Sequence, residues 1–228
     1  MKSRYTREMK MIASQLSHPS GKRGVELGEE MHEKNFFMIR STIDLMQAGD
    51  RDSILELGHG SGAHVPYLMD QAADIHYIGL EISGTMKDMA EQNNSQTLGA
   101  ATKFEIYDGL NILMDSGTFD KVLTVNTVYF WSHPARLAGE IFRVLRPGGR
   151  LVIAFADRAF MKKLPFTDFG FNLYDCSEVV RLMETAGFSL ERITDQEEQV
   201  TSALGESLTR PFSVISFLKT WQNIEKVD

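Results

Sequence analysis

Short apolar runs alternate with longer amphipathic stretches from residue 53 onward. Each run is five to seven residues long, and most are followed by Gly, Asp or Asn, which is typical of buried strands. Because helical stretches separate the runs, we expect βαβ units and a parallel sheet. The predicted strands are 53–57, 76–82, 103–107, 119–125 and 150–156, and the predicted helices lie near 63–72, 84–97 and 133–146.

The stretch from Ser132 to Gly149 gives the strongest helix signal. Ser132 can cap its start, and Pro134 falls in the first turn, where a missing N–H is tolerated. The sequence RPGG at 146–149 is expected to end the helix and to turn the chain into the next strand. The apolar residues that share one face of this helix are Leu137, Ile141, Phe142 and Leu145.

The pattern changes after residue 157. Residues 157–175 carry aromatic side chains without a regular period, which indicates a long loop or insert. A helix is predicted near 177–186. Two strands are predicted at 188–200 and 211–220, and the short connection through Gly205 would pair them antiparallel.

Residues 1–47 precede the first strand and look helical in two pieces, broken near 18–24. We expect them to form a helical cap or lid on an α/β domain over 48–228. That domain would be doubly wound, with a seven-stranded, mostly parallel sheet and an antiparallel last strand. The segment 15–24 is either a lid over the site, which would exclude water, or a simple linker.

The composition is that of a soluble globular protein of about one domain, with 228 residues, 43% of them hydrophobic. No apolar run approaches the length of a membrane span, and the charged N-terminus lacks the apolar core of a secretory signal. Cys176 is the single cysteine, so no internal disulfide can form, and we expect a cytoplasmic location. The net charge of −7 argues against a nucleic-acid partner, although a local basic patch is compatible with it. The oligomeric state stays open.

Three glycines, Gly58, Gly60 and Gly62, follow the first predicted strand. Glycine there lets the backbone approach a ligand, and the next helix start offers free N–H groups. A tight strand–helix turn without a ligand is the alternative. Glu81 ends the second strand 81 − 62 = 19 positions later, close to the offset expected for an acid that accepts ribose hydroxyls. Both nicotinamide and adenosyl cofactors use such an acid.

Further motifs distinguish these two cofactor classes. They read ILELGHGSG, IGLEIS followed by Met86, YDGL, FDKVLTVNTVYFW, EIFRVLRPGGRLVIAF and METAGFSLERI. As an ordered set they resemble the motifs of the class I S-adenosylmethionine-dependent methyltransferases. The nearest likeness is to the small-molecule branch that includes the ubiquinone and menaquinone biosynthesis enzymes. The resemblance implies a Rossmann-like fold, S-adenosylmethionine as cofactor and S-adenosylhomocysteine as product.

The resemblance also implies roles for single residues. The three glycines would wrap the methionine part of the cofactor, and Glu56 would orient its amino group. Glu81 would accept from both ribose hydroxyls, and Asp108 from the adenine amine. The other residues expected to bind the cofactor are Ile82, Met86, Gly109, which would add an N–H contact to the adenine, and Asn126, near the methionine end.

Three of these residues have structural alternatives. Glu81 could be a solvated acid at a strand end. Asp108 could form a turn with Gly109, as Asp-Gly pairs commonly do. Asn126 could be a helix cap or a turn residue.

The acceptor pocket is expected between residues 1–47, the turn 127–134 and the insert. We expect Tyr129, Trp131 and His133 to face the acceptor. His133 could be a general base, but Ser-His-Pro also indicates a plain helix start, which we prefer. The remaining aromatic residues either line an apolar pocket or pack the insert onto the domain: Phe130, Phe160, Phe166, Phe169, Phe171 and Tyr174.

The sequence lacks the motifs of several methyltransferase classes that act on other kinds of acceptor. The fourth strand is followed by Asn-Thr-Val-Tyr rather than the Asn/Asp-Pro-Pro-Tyr of enzymes that methylate DNA bases or protein glutamine. No Asp-Asn pair resembles the metal site of catechol-type enzymes, so no metal is expected. Cys176 alone cannot serve arsenite chemistry. The many aromatic residues near the strand ends indicate a small, apolar or aromatic acceptor.

Methyl transfer from a sulfonium needs mainly alignment of nucleophile and methyl, and a base only where the acceptor must lose a proton. No catalytic residue is assigned on sequence grounds, and the acceptor atom stays open. Two other functions remain: a cofactor-binding protein that transfers nothing, and a nicotinamide-dependent oxidoreductase. A protein acceptor is not constrained by the sequence.

Overall fold

A seven-stranded sheet with helices around it forms the protein in the computed structural model, which describes residues 2–99, 101–201 and 207–220. The strands lie in the order β3-β2-β1-β4-β5-β7-β6, and only β7 runs against its neighbours. The strands are β1 Ser53–Leu57, β2 His76–Glu81, β3 Thr102–Ile106, β4 Phe119–Val125, β5 Leu145–Ala156, β6 Ser189–Thr201 and β7 Ser207–Leu218. The helices are α1 Lys2–Ser17, α2 Gly21–Met46, α3 Val65–Met69, α4 Gly84–Asn93, α5 Pro134–Val144, α6 Arg158–Met161 and α7 Cys176–Thr185.

This architecture confirms the predicted Rossmann-like sheet with an antiparallel last strand. One boundary prediction was wrong: RPGG at 146–149 does not lie between a helix and a strand but belongs to β5, which begins at Leu145. Leu145 pairs with Phe119, and the register of the β4–β5 pairing shifts directly after this pair, where the glycines lie. Gly205, the predicted link of the last two strands, lies outside the described residues.

The central strands are buried on both faces, which explains their nearly continuous apolar sequences. Helix α2 packs across β4, β5 and β7, and the side chains of its second half, Met38, Ile43 and Met46, are almost completely buried. The two N-terminal helices predicted for residues 1–47 are present, with a break of only three residues. The second half of α2 is therefore part of the core of the domain. Within the described residues, no helix is both long and apolar enough to cross a membrane.

The strand order changes direction at β1: β2 and β3 lie on one side of it, and β4 and the later strands lie on the other. The carboxyl ends of these three strands meet there, and open α/β sheets bind their ligands at such a point. The glycine loop follows β1, Glu81 ends β2, and Asn126 follows β4. The topology thus brings together three groups of predicted site residues that are far apart in the sequence.

Lys219, which follows β7, holds the carboxyl end of α5. Its buried Nζ donates to the carbonyls of Phe142, at 2.7 Å, and Leu145, at 2.8 Å, and lies 4.5 Å from the centre of the Phe142 ring. The last carbonyls of a helix lack partners within it, and a cation there also favours the helix dipole. Burial lowers the pKa of Lys219, and nearby Arg143 lowers it further.

Replacing Lys219 with Met should lower the free energy of unfolding by about 1–3 kcal/mol, because two buried carbonyls lose their donor while most of the side-chain volume stays. Urea unfolding measures the change. Lys103→Met, at an exposed position of β3, is the matched control and should leave stability near that of wild type. Equal stability of the two variants would contradict the capping role.

Candidate active site

A cavity lies at the carboxyl ends of β1, β2 and β4, beneath the N-terminal helices. The sheet side contributes the glycine loop and the residues around Glu81. The opposite side is formed by one face of α2, together with Leu16 at the end of α1 and Pro19 just after it. The predicted cofactor residues that line this one cavity are Glu56, Gly58, Gly60, Glu81, Ile82, Met86, Gly109 and Asn126.

The three glycines of the loop meet three different requirements, although each has a positive φ. A Cβ on Gly58 would lie 2.4 Å from the Thr127 side chain, and one on Gly62 would lie 2.8 Å from the Cβ of Ala90 in α4. A Cβ on Gly60 would meet no atom within 4 Å, and this residue lines the cavity. Gly58, which also lines the cavity, and Gly62, which does not, therefore allow close packing, whereas Gly60 leaves room for a ligand.

The Glu81 carboxylate joins the glycine loop to the end of β2. It accepts from the backbone N–H groups of Ile82 at 2.8 Å, Ser83 at 3.1 Å and Gly60 at 3.2 Å. A carboxylate offers about four acceptor positions, so capacity remains for a ligand hydroxyl. Its buried, fixed position on the cavity wall fits the predicted ribose contact.

Glu56 is a second buried carboxylate on the wall. Its Oε2 accepts from Nε2 of His64 at 2.8 Å and from the Tyr77 hydroxyl at 2.5 Å. Burial alone would raise the pKa of Glu56, but the charge and hydrogen bond of His64 and the hydrogen bond of Tyr77 hold it below the usual value. Burial raises the pKa of Tyr77, so its hydroxyl remains a donor. Two carboxylates in one cavity favour a cationic ligand.

Asn126 stands at the end of β4 with φ 56°, a left-handed conformation that Asn tolerates better than most residues. Its Nδ2 donates to Oδ1 of Asn35 in α2 at 3.3 Å, and its Oδ1 accepts from the Tyr129 hydroxyl at 3.2 Å. The amide therefore connects the sheet to the N-terminal helices inside the cavity. Backbone strain of this kind is concentrated at functional sites.

Asp108 does not line the cavity. It is exposed, and its carboxylate accepts from the backbone N–H groups of Leu110, at 2.8 Å, and Asn111, at 2.7 Å, and from the Asn111 amide. Hydrogen bonds from Asn111 and Leu110 lower the pKa of Asp108. This is the turn geometry given above as the alternative, and the adenine contact stays a prediction.

Of the three residues expected to face the acceptor, only Trp131 lines the cavity, with Nε1 donating to Oγ1 of Thr127 at 3.2 Å. Tyr129 is buried behind Asn126 because its hydroxyl bonds to the backbone of Ala156. His133 is exposed at the cap position of α5, and its imidazole contacts the Ser132 hydroxyl. The structure therefore places Tyr129 in the core and His133 at a helix start.

Aromatic residues of the insert contact other rings rather than the cavity. Phe171 packs on Phe130 at 4.6 Å between ring centres and on Tyr129 at 5.9 Å, and Phe166 packs on Phe171 at 5.7 Å. Phe130 itself lines the cavity. These contacts favour the packing alternative for Phe166 and Phe171.

Sequence reasoning missed the cavity residues of α2: Met31, His32 and Asn35. These positions continue, at helical spacing, the buried stripe of Met38 and Thr42. Polar side chains on the buried face of an amphipathic helix are the signal that could have identified them.

The segment 15–24 lies on the cavity. The Pro19 carbonyl accepts from the Ser83 hydroxyl at 2.5 Å, and the Gly21 N–H donates to Oγ1 of Thr85 at 3.2 Å. Both contacts join the break between α1 and α2 to the start of α4. The segment is thus held across the loop that follows Glu81.

Residues 55–153 match the family model described as a methyltransferase domain. Over these residues the chain is therefore a methyltransferase domain, in agreement with its resemblance to the class I S-adenosylmethionine-dependent methyltransferases. This confirms the family predicted from the motifs, and S-adenosylmethionine is the cofactor of the domain. The buried carboxylates and the open space at Gly60 fit that cationic nucleoside.

Relatives of this methyltransferase domain differ in their names. The chain is 23% identical to phosphoethanolamine N-methyltransferase 1 of Arabidopsis thaliana over 74% of its own length and 35% of the relative. It is 26% identical to an uncharacterised Bacillus subtilis methyltransferase, over 58% and 71% of the two chains. Demethylmenaquinone methyltransferase of Thermus thermophilus is 28% identical over 50% and 51%. The chain thus spans about a third of the plant relative and half of the Thermus enzyme.

Solved structures show the same fold. A chain in a complex of the Haloferax volcanii Trm112 methyltransferase activator with a methyltransferase superposes with a TM-score of 0.74 at 16% identity, covering 93% of this chain and 98% of that one. A geranyl diphosphate methyltransferase with bound GPP and sinefungin gives 0.68 at 14% identity, covering 84% and 80%. These likenesses agree with the Rossmann-like fold of the chain.

Replacing Gly60 with Ala should cost about 1–2 kcal/mol of stability through its left-handed backbone. It should also weaken S-adenosylhomocysteine binding, because the added methyl enters the cavity. Gly62→Ala carries the same backbone strain plus a clash with Ala90, so it should lose more stability. Urea unfolding and calorimetric titration separate the two effects, and unchanged affinity in Gly60→Ala would contradict the assignment.

Replacing Glu81 with Gln should weaken S-adenosylhomocysteine binding by about 1–3 kcal/mol, because one acceptor oxygen becomes a donor amide facing backbone N–H groups. Calorimetric titration is the measurement. Glu105→Gln, at an exposed position of β3, is the control and should bind as wild type does. Wild-type affinity in the Glu81 variant would remove this residue from the cofactor site.

Proposed function

We propose that the protein transfers the methyl group of S-adenosylmethionine to a small acceptor with an apolar body and an uncharged reacting group. One observation carries this proposal: the cavity that holds the cofactor residues is also lined by apolar side chains from α2, from the end of β4 and from the turn after it. These side chains, which we call the acceptor chamber, are Met31, Ile39, Val125, Phe130 and Trp131.

The charge of the cavity supports an uncharged acceptor. Among the described residues that line it there are two carboxylates, Glu56 and Glu81, and no Lys or Arg. A phosphate group would lose its hydration without gaining a cationic partner, which is costly. The phosphorylated amine in the name of the Arabidopsis relative fits this lining poorly. A quinone-like molecule, as in the name of the Thermus relative, fits it better.

The residues of the chain would act mainly by holding and enclosing the reactants. When bound, S-adenosylmethionine supplies a methyl group that its sulfonium already activates. Glu56 and Glu81 would attract the cation, and the apolar wall would exclude water and align the acceptor with the methyl group. Asn126 would lie where the two reactants meet, since it joins β4 to α2 within the cavity.

Residues 1–47 would serve as the cover of this site. Leu16, Pro19 and one face of α2 line the side of the cavity opposite the sheet, so a displacement of this segment would widen the entrance for an acceptor. The hydrogen bonds of Pro19 and Gly21 to the start of α4 would hold the closed form. Closure of such a segment keeps water from the reacting methyl group.

S-adenosylhomocysteine should raise the melting temperature of the protein, and NAD should not, because the carboxylates of the cavity oppose a pyrophosphate. Incubation with S-adenosylmethionine and 2-naphthol or a demethylated naphthoquinone should then release S-adenosylhomocysteine, detected by mass spectrometry. Phosphoethanolamine should release none. Stabilisation by NAD alone would favour an oxidoreductase, and turnover of phosphoethanolamine alone would refute the uncharged acceptor.

A further inference from the structure

The polar groups of the acceptor chamber come mainly from α2. His32 and Asn35 lie about one turn apart on the helix face that lines the cavity, and Asn35 contacts Asn126. Asn35 accepts from Asn126 through Oδ1, and none of the described residues accepts from its own Nδ2 group. One face of α2 therefore brings an amide donor and an imidazole to the lining of the cavity.

Other titratable groups of the cavity are already engaged. The Glu56 carboxylate is hydrogen-bonded to the Tyr77 hydroxyl and to Nε2 of His64. This nitrogen of His64 is therefore engaged as well. His59 bonds to the Gly60 carbonyl through Nδ1, at 2.8 Å, and packs against Phe104. These hydrogen bonds fix the side chains in place, and the second ring nitrogen of His59, Nε2, is buried without a partner rather than exposed to the cavity.

His32 differs from the other two histidines of the cavity. Its ring lies edge-on to Phe36 at 5.4 Å between centres and is stacked on His64 at 6.3 Å, with 21° between the planes. Among the described residues, none forms a hydrogen bond to either of its ring nitrogens. The imidazole is thus positioned by ring contacts while its nitrogens remain available to a ligand.

We propose that His32 is the general base of methyl transfer and that the acceptor carries its reacting atom as an O–H or N–H group. This rests on the function proposed above. In the step, the acceptor heteroatom forms a bond to the methyl carbon and the methyl–sulfur bond breaks. The proton of the acceptor passes to the imidazole of His32, which later releases it to water. The amide of Asn35 donates to the same heteroatom and orients it.

The charge state of His32 agrees with this role. Burial lowers the pKa of His32, and His64 lowers it further, while Glu33 on the same helix raises it in part. The ionised Glu56 lies on the far side of His64 and is bound to it. The imidazole is therefore uncharged at neutral pH, so the lone pair that accepts a proton is present.

The test uses the full chain with imidazole-labelled histidine, saturated with S-adenosylhomocysteine and titrated with 2-naphthol. The expected result is that the ring resonances of His32 shift on binding, whereas those of the exposed His76 do not. Binding of 2-naphthol without a shift at His32, or no binding at millimolar concentration, overturns the proposal.

Kinetics give a second, independent readout. His32→Gln should lower kcat for 2-naphthol by about 100- to 10,000-fold. It should also abolish the acid limb of the pH profile, which in wild type lies below the pKa of a free imidazole. S-adenosylhomocysteine affinity should stay unchanged, and His76→Gln should behave as wild type. A pyridine acceptor, which loses no proton on methylation, should react equally well with both proteins.

Wild-type kcat and an intact acid limb in His32→Gln overturn the role of His32. These outcomes are separate from a failure of the function itself. If wild-type protein does not bind S-adenosylhomocysteine, the proposed function fails. If the cofactor product binds and only the His32 responses are missing, the proposed function stands and this inference falls.

Discussion

A carboxylate in the interior of a protein must be hydrogen-bonded, and Glu56 at the end of β1 meets this requirement through two residues from different elements. Tyr77, in β2, donates through its hydroxyl group, and His64, which directly precedes α3, forms a hydrogen bond through Nε2. These bonds keep the carboxylate ionised in a place where burial alone would favour its neutral form. The negative charge so retained stands beside the glycine loop, where a cationic cofactor needs it, and His64 in turn supports the ring of His32.

The fold was predictable from the sequence because its central strands are buried on both faces and therefore have nearly continuous apolar sequences. The glycine loop and Glu81 were predictable because their spacing follows from the length of one βα unit. The start of β5 was not, since Leu145 becomes part of a strand through its pairing with Phe119, a contact that local sequence does not encode. The turn at Asp108 was predictable only as an alternative, because the same carboxylate can serve its own backbone or a ligand.

The acceptor side of the site was harder to predict, and the consecutive aromatic residues after β4 show why. They lie in and just after a short 3₁₀ turn, Val128–Phe130, in which successive side chains point in different directions. Tyr129 therefore enters the core, while Phe130 and Trp131 reach the cavity. A list of aromatic residues indicates an apolar region, but the turn geometry decides which of them a ligand can touch.

The two sides of the cavity are built by different means. On the cofactor side, backbone N–H groups, glycine conformations and buried carboxylates form the wall, so few substitutions there preserve binding. On the acceptor side, one face of α2 forms a large part of the wall, and this helix lies outside the residues that match the family model. The second half of that helix is fixed in the core by Met38, Ile43 and Met46. A rigid anchor of this kind holds His32 and Asn35 in defined positions without restricting which side chains those positions carry. Selection of the acceptor can therefore change with α2 while the sheet and the cofactor site remain the same.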